Sequence, residues 1–305
     1  MAEETLLQAR ELCRRYGDRT ALENLDLSVR RGEIVGLLGP NGAGKSTTLR
    51  ILSGTLPPHR GTVTVAGADL FAAPRQARRR LGYLPEIPPV YPEMTVAAYL
   101  RYCGELRGLR RQALSRALER ALERCRLGPV RQRLIGNLSK GYVQRIGLAQ
   151  AVLHEPEVLI LDEPTVGLDP LQTREFRTLI RELGEDRGIV FSSHILPEIR
   201  ALCDRVLILR DGRTLFSGPV TAADSRRFRL RCAHAPDAAQ LAALPGVTAL
   251  EPAADGSLLL TLADEAAAAQ VQQAVLAAGW MLREWGPAHD GLEQLLVTLV
   301  HGEPA

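Results

Sequence analysis

The 305-residue sequence predicts an α/β fold: a sheet domain with an inserted helical subdomain, followed by a small α+β domain. Three observations predict it. Short β-type runs alternate with helical patterns over the first two-thirds, as a largely parallel sheet requires. The apolar run Ile34–Leu38 passes through a glycine-rich loop into a helical pattern. The length exceeds the usual size of one hydrophobic core, so a main domain with a smaller appendage is expected.

Taken in order, strands are predicted at Leu22–Val29, Glu33–Leu38, Thr62–Val65, Leu81–Leu84, Val158–Leu161, Ile189–Ser192, Val206–Arg210 and Thr214–Phe216, with helices starting at Lys45, Leu171 and Leu196. Between about Pro88 and Leu153 the strand signal stops. Over Arg110–Arg126, Ala113, Leu114, Ala117, Leu118, Ala121 and Leu122 form one apolar stripe, so residues 88–153 read as a helical subdomain within a main domain of residues 1–220. Glu119 and Glu123 interrupt its arginine-rich face, which favours a solvated surface over membrane binding.

After Ser217-Gly218-Pro219 the composition shifts and Thr221–Ser225 reads as a linker. The domain over 226–305 reads strand (Arg227–Cys232), helix (Asp237–Leu244), strands (Val247–Glu251, Ser257–Leu262), helix (Asp264–Ala278), strand (Trp280–Trp285) and a last helix (Leu292–Val300). That is the ferredoxin-like, split βαβ order.

Composition bounds the function. A net charge of +3 at 24% charged residues argues against a nucleic-acid partner. No run approaches the roughly 18 apolar residues of a membrane span, and Met1-Ala2-Glu3-Glu4 is wrong for a secretory signal, so a cytoplasmic location is expected. Cys13, Cys103, Cys125, Cys203 and Cys232 form no CxxC pair, against both a disulfide framework and a zinc site. Lys45 and Lys140 are the two lysines in an otherwise arginine-based set, and both fall inside motifs.

Gly39-Pro40-Asn41-Gly42-Ala43-Gly44-Lys45-Ser46-Thr47 fits GxxxxGK[ST] between a strand and a helix. Glycines there let backbone N–H groups turn inward around phosphate, and the helix start adds the positive end of its dipole. Lys45 is expected to reach the β and γ phosphates and Ser46 to bind Mg²⁺. Val158–Leu161, a continuous apolar run, ends in Asp162-Glu163, which puts two carboxylates at the ligand-binding end of a buried strand. Beside a phosphate loop, Asp162 reads as a Mg²⁺ ligand and Glu163 as the residue that polarises the attacking water.

Leu138-Ser139-Lys140-Gly141-Tyr142-Val143-Gln144-Arg145, ahead of the acidic strand, resembles the Leu-Ser-Gly-Gly-Gln signature of ABC ATPases. Gly167-Leu168-Asp169-Pro170 and His194 complete that family's order of motifs, over roughly residues 4–220. The resemblance implies that adenine stacks on Tyr16 and that His194 contacts the γ-phosphate. It implies that Glu86, where most members carry glutamine, touches the metal. Ser139 and Gly141 would face the γ-phosphate of ATP held by a second copy, and Asp169 would line the contact between copies; Lys140, in place of the signature's first glycine, puts a cation near that triphosphate. A core aromatic at Tyr16 and a structural histidine at position 194 are the alternatives. Lys140 and Tyr142 depart from the signature; with Glu86 and the run from Ser193 to Glu198, they resemble an exporter branch of gliding-motility and multidrug-type ATPases, whose members carry a small C-terminal domain. The resemblance therefore implies an ATP- and Mg²⁺-using homodimer that drives membrane permease subunits from the cytoplasmic face; the role of the C-terminal domain, Arg227–Val300, is left open between helping dimerisation and binding an accessory protein. An ABC ATPase acting on DNA or ribosomes would need long heptad arms or a second cassette, and a nucleotide kinase would leave the signature unexplained.

Overall fold

Uninterrupted hydrophobic runs set the centre of the sheet. The computed structural model describes residues 4–220, 227–233, 236–253, 256–264 and 266–287, in two units, 1–218 and 219–305. In the first unit the elements are β1 (Thr5–Tyr16), β2 (Arg19–Arg30), β3 (Ile34–Leu38), α1 (Lys45–Leu52), β4 (Arg60–Val65), β5 (Ala68–Asp69), α2 (Pro74–Arg79) and β6 (Leu81–Leu84). Then come α3 (Val96–Leu106), α4 (Arg111–Arg124), α5 (Lys140–Val152), β7 (Val158–Leu161), α6 (Pro170–Gly184), β8 (Gly188–Ser193), α7 (Leu196–Leu202), β9 (Arg205–Arg210) and β10 (Arg213–Pro219).

A six-stranded sheet runs β10-β9-β3-β8-β7-β6, with β3 parallel to β8 and β9, and β7 parallel to β8 and β6. Every residue of β3, β7 and β8 is buried, which is why these strands show continuous apolar runs instead of alternation. Each such aliphatic side chain contributes about 1.5–3 kcal/mol relative to exposure. All their carboxyl ends point the same way, so the loops after Leu38, Leu161 and Ser193 converge on one edge of the sheet.

A second, antiparallel sheet runs β2-β1-β4-β5. Its strand β1 is not signalled by periodicity in the sequence, because bulges between Thr5 and Leu7 and between Ala9 and Leu12 break the two-residue repeat that buries Leu6, Leu7, Ala9 and Leu12.

Residues 88–153 are helical, with α3, α4 and α5 joined by two 3-10 turns and one isolated β-bridge between Thr95 and Leu134. Along α4 the residues Leu114, Ala117, Leu118, Ala121 and Leu122 are buried, while Ala113 is exposed on the first turn. Exposed ion pairs, Arg131–Glu119 at 3.0 Å and Arg120–Glu155 at 2.8 Å, cover the polar face.

The second unit contains β11 (Arg227–Cys232), α8 (Ala238–Ala242), β12 (Val247–Pro252), β13 (Leu258–Leu262), α9 (Ala267–Ala277) and β14 (Leu282–Pro287). Its antiparallel sheet has the order β12-β13-β11-β14. Leu241 of α8 and Val271 and Val275 of α9 share one core with Phe228, Leu230, Leu260 and Leu262, so both helices cover the same face. Phe228 stacks on Trp285 at 5.1 Å. The predicted linker Thr221–Ser225 and helix Leu292–Val300 lie outside the described residues.

The cysteines are free: Cys125 and Cys203 are buried and the other three half-buried. Burial pushes the Cys125 thiol up to about 12, which makes it an inert hydrophobe. Among the described residues no helix is long and apolar enough to cross a membrane.

Candidate functional site

The turn from β3 into α1 is shaped by close approach of backbone to backbone. A side chain at Gly39 would place its Cβ 2.4 Å from the Leu209 carbonyl oxygen, and at Gly44 2.7 Å from that of Ala21. Gly44 also sits at φ 108°, a left-handed conformation open to glycine, as the residue before the first turn of α1. Ala43 is buried beneath the loop. Lys45, only 6% exposed, donates to the carbonyl oxygens of Gly39 at 2.7 Å and Pro40 at 3.3 Å, which aligns its ammonium along the loop it would share with phosphate.

Asp162 and Glu163 leave the end of β7 into the same region, and both are buried. Ser192 of β8 ties them together: its hydroxyl donates to Asp162 Oδ1 at 2.9 Å and accepts from the Glu163 amide at 2.8 Å. Glu163 has φ 44°, a left-handed backbone that costs a non-glycine residue roughly 1–2 kcal/mol. Its side chain lies between Lys45 and His194. Glu163 Oε1 is 3.6 Å from the Lys45 ammonium, and Oε2 is 2.8 Å from His194 Nδ1. A carboxylate can only accept, so Nδ1 carries the proton and Nε2 is turned away from the pair.

Burial drives the Asp162 carboxyl above its ordinary value, helped by the charges of Glu163 and Glu86 and opposed by the Ser192 hydrogen bond and Lys45. Burial, and after it the Asp162 charge, pushes the nearby Tyr83 hydroxyl up to about 12. Among the described residues no group of three His, Cys, Asp or Glu side chains forms a metal cage. A Mg²⁺ site does not need one: it uses a hydroxyl and one or two carboxylates, with waters and substrate phosphates filling the rest. The hard oxygens of Ser46, Asp162 and Glu86, with surplus negative charge around Asp162, fit that chemistry.

An open cleft of about 510 Å³ runs over these groups, lined by Tyr16, Arg19, Ala21, Pro40, Asn41, Gly42, Gly44, Lys45, Ser46, Thr47, Glu86, Glu163, Val166 and His194. Tyr16 is 41% exposed at its mouth and carries the Arg14 guanidinium over its ring at 5.3 Å, so it is a surface platform and not a core aromatic. Glu86 follows β6, and its backbone carbonyl accepts from the buried Gln144 side chain at 3.0 Å.

Arg19, whose guanidinium donates to the Gly42 carbonyl at 3.3 Å, belongs to this cleft and carries no motif of its own; its only sequence signal is its place three residues after Tyr16 in a tight hairpin. Ser192 and Ser193 had a clearer signal, as polar residues closing a fully apolar strand.

Ser139, Lys140, Gly141 and Asp169 are not among the residues lining the cleft. Ser139 is the cap residue of α5 and Asp169 that of α6, its Oδ1 accepting from the Gln172 amide at 2.8 Å. Lys140 folds its ammonium against Gly167 of its own chain, and Gly141 packs so closely on Gln172 that a Cβ there would lie 2.5 Å from that side chain's oxygen. Arg145 pairs with Glu175 further along, so the start of α5 and the start of α6 form one seam.

A family profile described as "ABC transporter" matches residues 22–166. The bacitracin transport ATP-binding protein BcrA of Bacillus licheniformis is 38% identical over 213 residues, 69% of each chain. The ABC transporter ATP-binding protein YdbJ of Bacillus subtilis is 33% identical over 264 residues, 86% of this chain and 85% of that one, a stretch longer than the first unit. A solved structure of an ATP-binding subunit of an ABC transporter superposes with a TM-score of 0.65 at 36% identity, over 71% of this chain and 91% of that chain. Together with the phosphate loop, the acidic strand end and the signature helix, these similarities show that the chain belongs to the nucleotide-binding ATPase subunits of ABC transporters.

Proposed function

We propose that this chain is the hydrolytic motor of an exporter, acting as a homodimer that closes around two ATP molecules and moves membrane permease subunits. One observation carries the reading: Lys45, Glu163 and His194 meet in one cleft, while Ser139, Lys140, Gly141 and Asp169 gather on the separate α5–α6 seam. Each copy thus holds half a site. Two copies related by a two-fold axis bring each seam over the other's cleft, and such a pairing is self-complementary.

Adenine stacks on Tyr16, and the loop from Gly39 to Thr47 wraps the phosphates. Ser46, Asp162 and Glu86 would hold Mg²⁺, which when bound would supply charge neutralisation of the phosphate oxygens. In-line attack on the γ-phosphate is chiefly a matter of position and electrostatics. Glu163 orients and polarises the water, and Lys45 and His194 stabilise charge on the transferred group. With nucleotide present, the Lys45–Glu163 contact of 3.6 Å opens, since the ammonium moves its attraction to phosphate. Ser139, Lys140 and Gly141 of the second copy face the γ-phosphate, with the Lys140 ammonium leaving Gly167. Loss of that phosphate removes their contacts and the dimer loosens, so ATP acts through its differential affinity for closed and open states.

Similarity to a bacitracin transport ATP-binding protein supports a transport role, and the departures at Glu86 and Lys140 support the export branch. The chain then works peripherally on the cytoplasmic face of the membrane, beside permease subunits, with the second unit as a surface for dimerisation or an accessory protein. The test is Glu163→Gln: the variant should bind Mg-ATP, hydrolyse it at least about 100-fold more slowly, and elute as a dimer. Retention of a strictly monomeric state with ATP bound, or hydrolysis at the unmodified rate, overturns the assignment.

A further inference from the structure

Four residues beyond His194, a carboxylate lies almost completely inside the protein. Glu198, on α7, is 4% exposed. A charge so buried is costly unless it is paired and hydrogen-bonded, and Glu198 has three partners, from the loop after β7, from β8 and from α6. Its Oε2 accepts from the Thr165 hydroxyl at 2.8 Å and from the Ser193 hydroxyl at 2.7 Å, while Oε1 is 3.3 Å from Arg177 of α6.

Two of those partners border the hydrolytic pair. Thr165 is two residues after Glu163, and Ser193 immediately precedes His194. The Ser193 hydroxyl also accepts from the Ile195 amide at 3.0 Å, which holds the backbone on the far side of His194. Glu163 is in the left-handed region at φ 44°, a conformation that persists only where surrounding contacts over-determine it. On its N-terminal side Ser192 grips the Glu163 amide; on its C-terminal side the anchor is Thr165, and Thr165 is held by Glu198.

We infer that Glu198 is a positioning residue for hydrolysis: one buried carboxylate fastens the Glu163 loop and the His194 loop to each other and sets the 2.8 Å contact between those side chains. Arg177 extends the tie to α6, the helix that Asp169 caps, so movement of that helix reaches both hydrolytic residues through Glu198. The inference rests on Glu163 and His194 being the hydrolytic pair.

The experiment measures kcat, nucleotide affinity and thermal midpoint together for Glu198→Ala, Glu198→Gln, Thr165→Val and Ser193→Ala. Misplacement of catalytic groups by about 1 Å costs on the order of 100-fold. Glu198→Ala should therefore lower kcat between about tenfold and 100-fold while the Kd for a fluorescent ATP analogue changes less than about twofold. Glu198→Gln, whose amide oxygen still accepts from the hydroxyls, should recover part of that loss. The combined Thr165→Val/Ser193→Ala variant should reproduce the Glu198→Ala loss, and adding Glu198→Ala to it should cost little more, because groups acting as one unit are non-additive. Should Glu198→Ala not fold, the hydroxyl variants carry the same comparison. Unchanged kcat in the hydroxyl double variant, or equal losses in kcat and affinity, overturns the inference. If Glu163→Gln is inactive in parallel assays, that failure leaves the motor reading standing; if Glu163→Gln is fully active, the motor reading itself fails.

Discussion

The cleft over Lys45 and the seam between α5 and α6 are built on opposite principles. At the floor of the cleft Lys45, Asp162 and Glu163 are buried and already engaged, Lys45 with loop carbonyls, Glu163 with Lys45 and His194, and Asp162 with Ser192, while Tyr16, Ser46, Glu86 and His194 are exposed around them. On the seam, Ser139, Lys140 and Asp169 are exposed at helix starts, and the neighbouring Leu171 is 67% exposed. Low-dielectric burial makes electrostatics strong and keeps groups in place, as bond-breaking chemistry requires. Exposed residues at helix starts suit a surface that must meet another molecule and leave it again. The difference teaches that one chain carries a preassembled cluster of charged side chains in the cleft and an open surface on the seam, the two halves that the proposed motor needs.

The largest effect should come from breaking the cleft. Lys45→Ala removes the cation that neutralises phosphate charge and leaves buried Glu163 without it; hydrolysis should fall by about 1,000-fold or more, with nucleotide affinity falling alongside in equilibrium binding. Near-normal ATPase activity in that variant would erase the distinction between the two regions.

An intermediate effect should come from the seam. Ser139→Arg places a bulky cation where close approach is needed, so ATP-dependent dimerisation and hydrolysis should drop roughly 100-fold, while binding of ATP to the isolated chain stays within about threefold. Equal loss of monomer binding would show that the seam is part of the cleft after all.

The smallest effect concerns the joint between the far end of α5 and the sheet. His154, just beyond α5, contacts the Leu81 carbonyl of β6 at 3.1 Å, with its second ring nitrogen buried and unpartnered. Burial, aided by the Arg107 charge, lowers this imidazole to about 4 from an ordinary 6.5. The folded state therefore holds His154 neutral where the unfolded chain takes up a proton. Its contribution is whole above pH 6.5 and is lost as pH falls through that value towards 4, at most roughly 3 kcal/mol. Chemical denaturation at pH 7 and pH 4.5 should show a smaller pH-dependent loss in His154→Gln than in the unaltered protein; parallel losses would remove His154 from the joint.

The parallel sheet was legible because burial on both faces leaves an unambiguous apolar run, as in Val158–Leu161, and the phosphate loop because its glycines are demanded by backbone approach at Gly39 and Gly44. β1 was hidden by its bulges, Arg19 by the lack of any pattern around it, and the role of Glu198 by distance in sequence, since its partner Thr165 is 33 residues away.

The sequence by itself determined which chemistry is present: a lysine in a glycine loop, two acids at a strand end, a histidine after another strand, and a signature ahead of them. These are local arrangements, set by short-range backbone geometry and by the alternation or continuity of apolar residues. Only the tertiary structure decided which groups meet. It brought Lys45, Glu163 and His194 within contact distance, laid Lys140 on Gly167, and tied two loops to one buried carboxylate. Such contacts arise from the packing of parallel strands and the helices after them, and side chains far apart in the chain acquire a common geometry only when those elements close on one core.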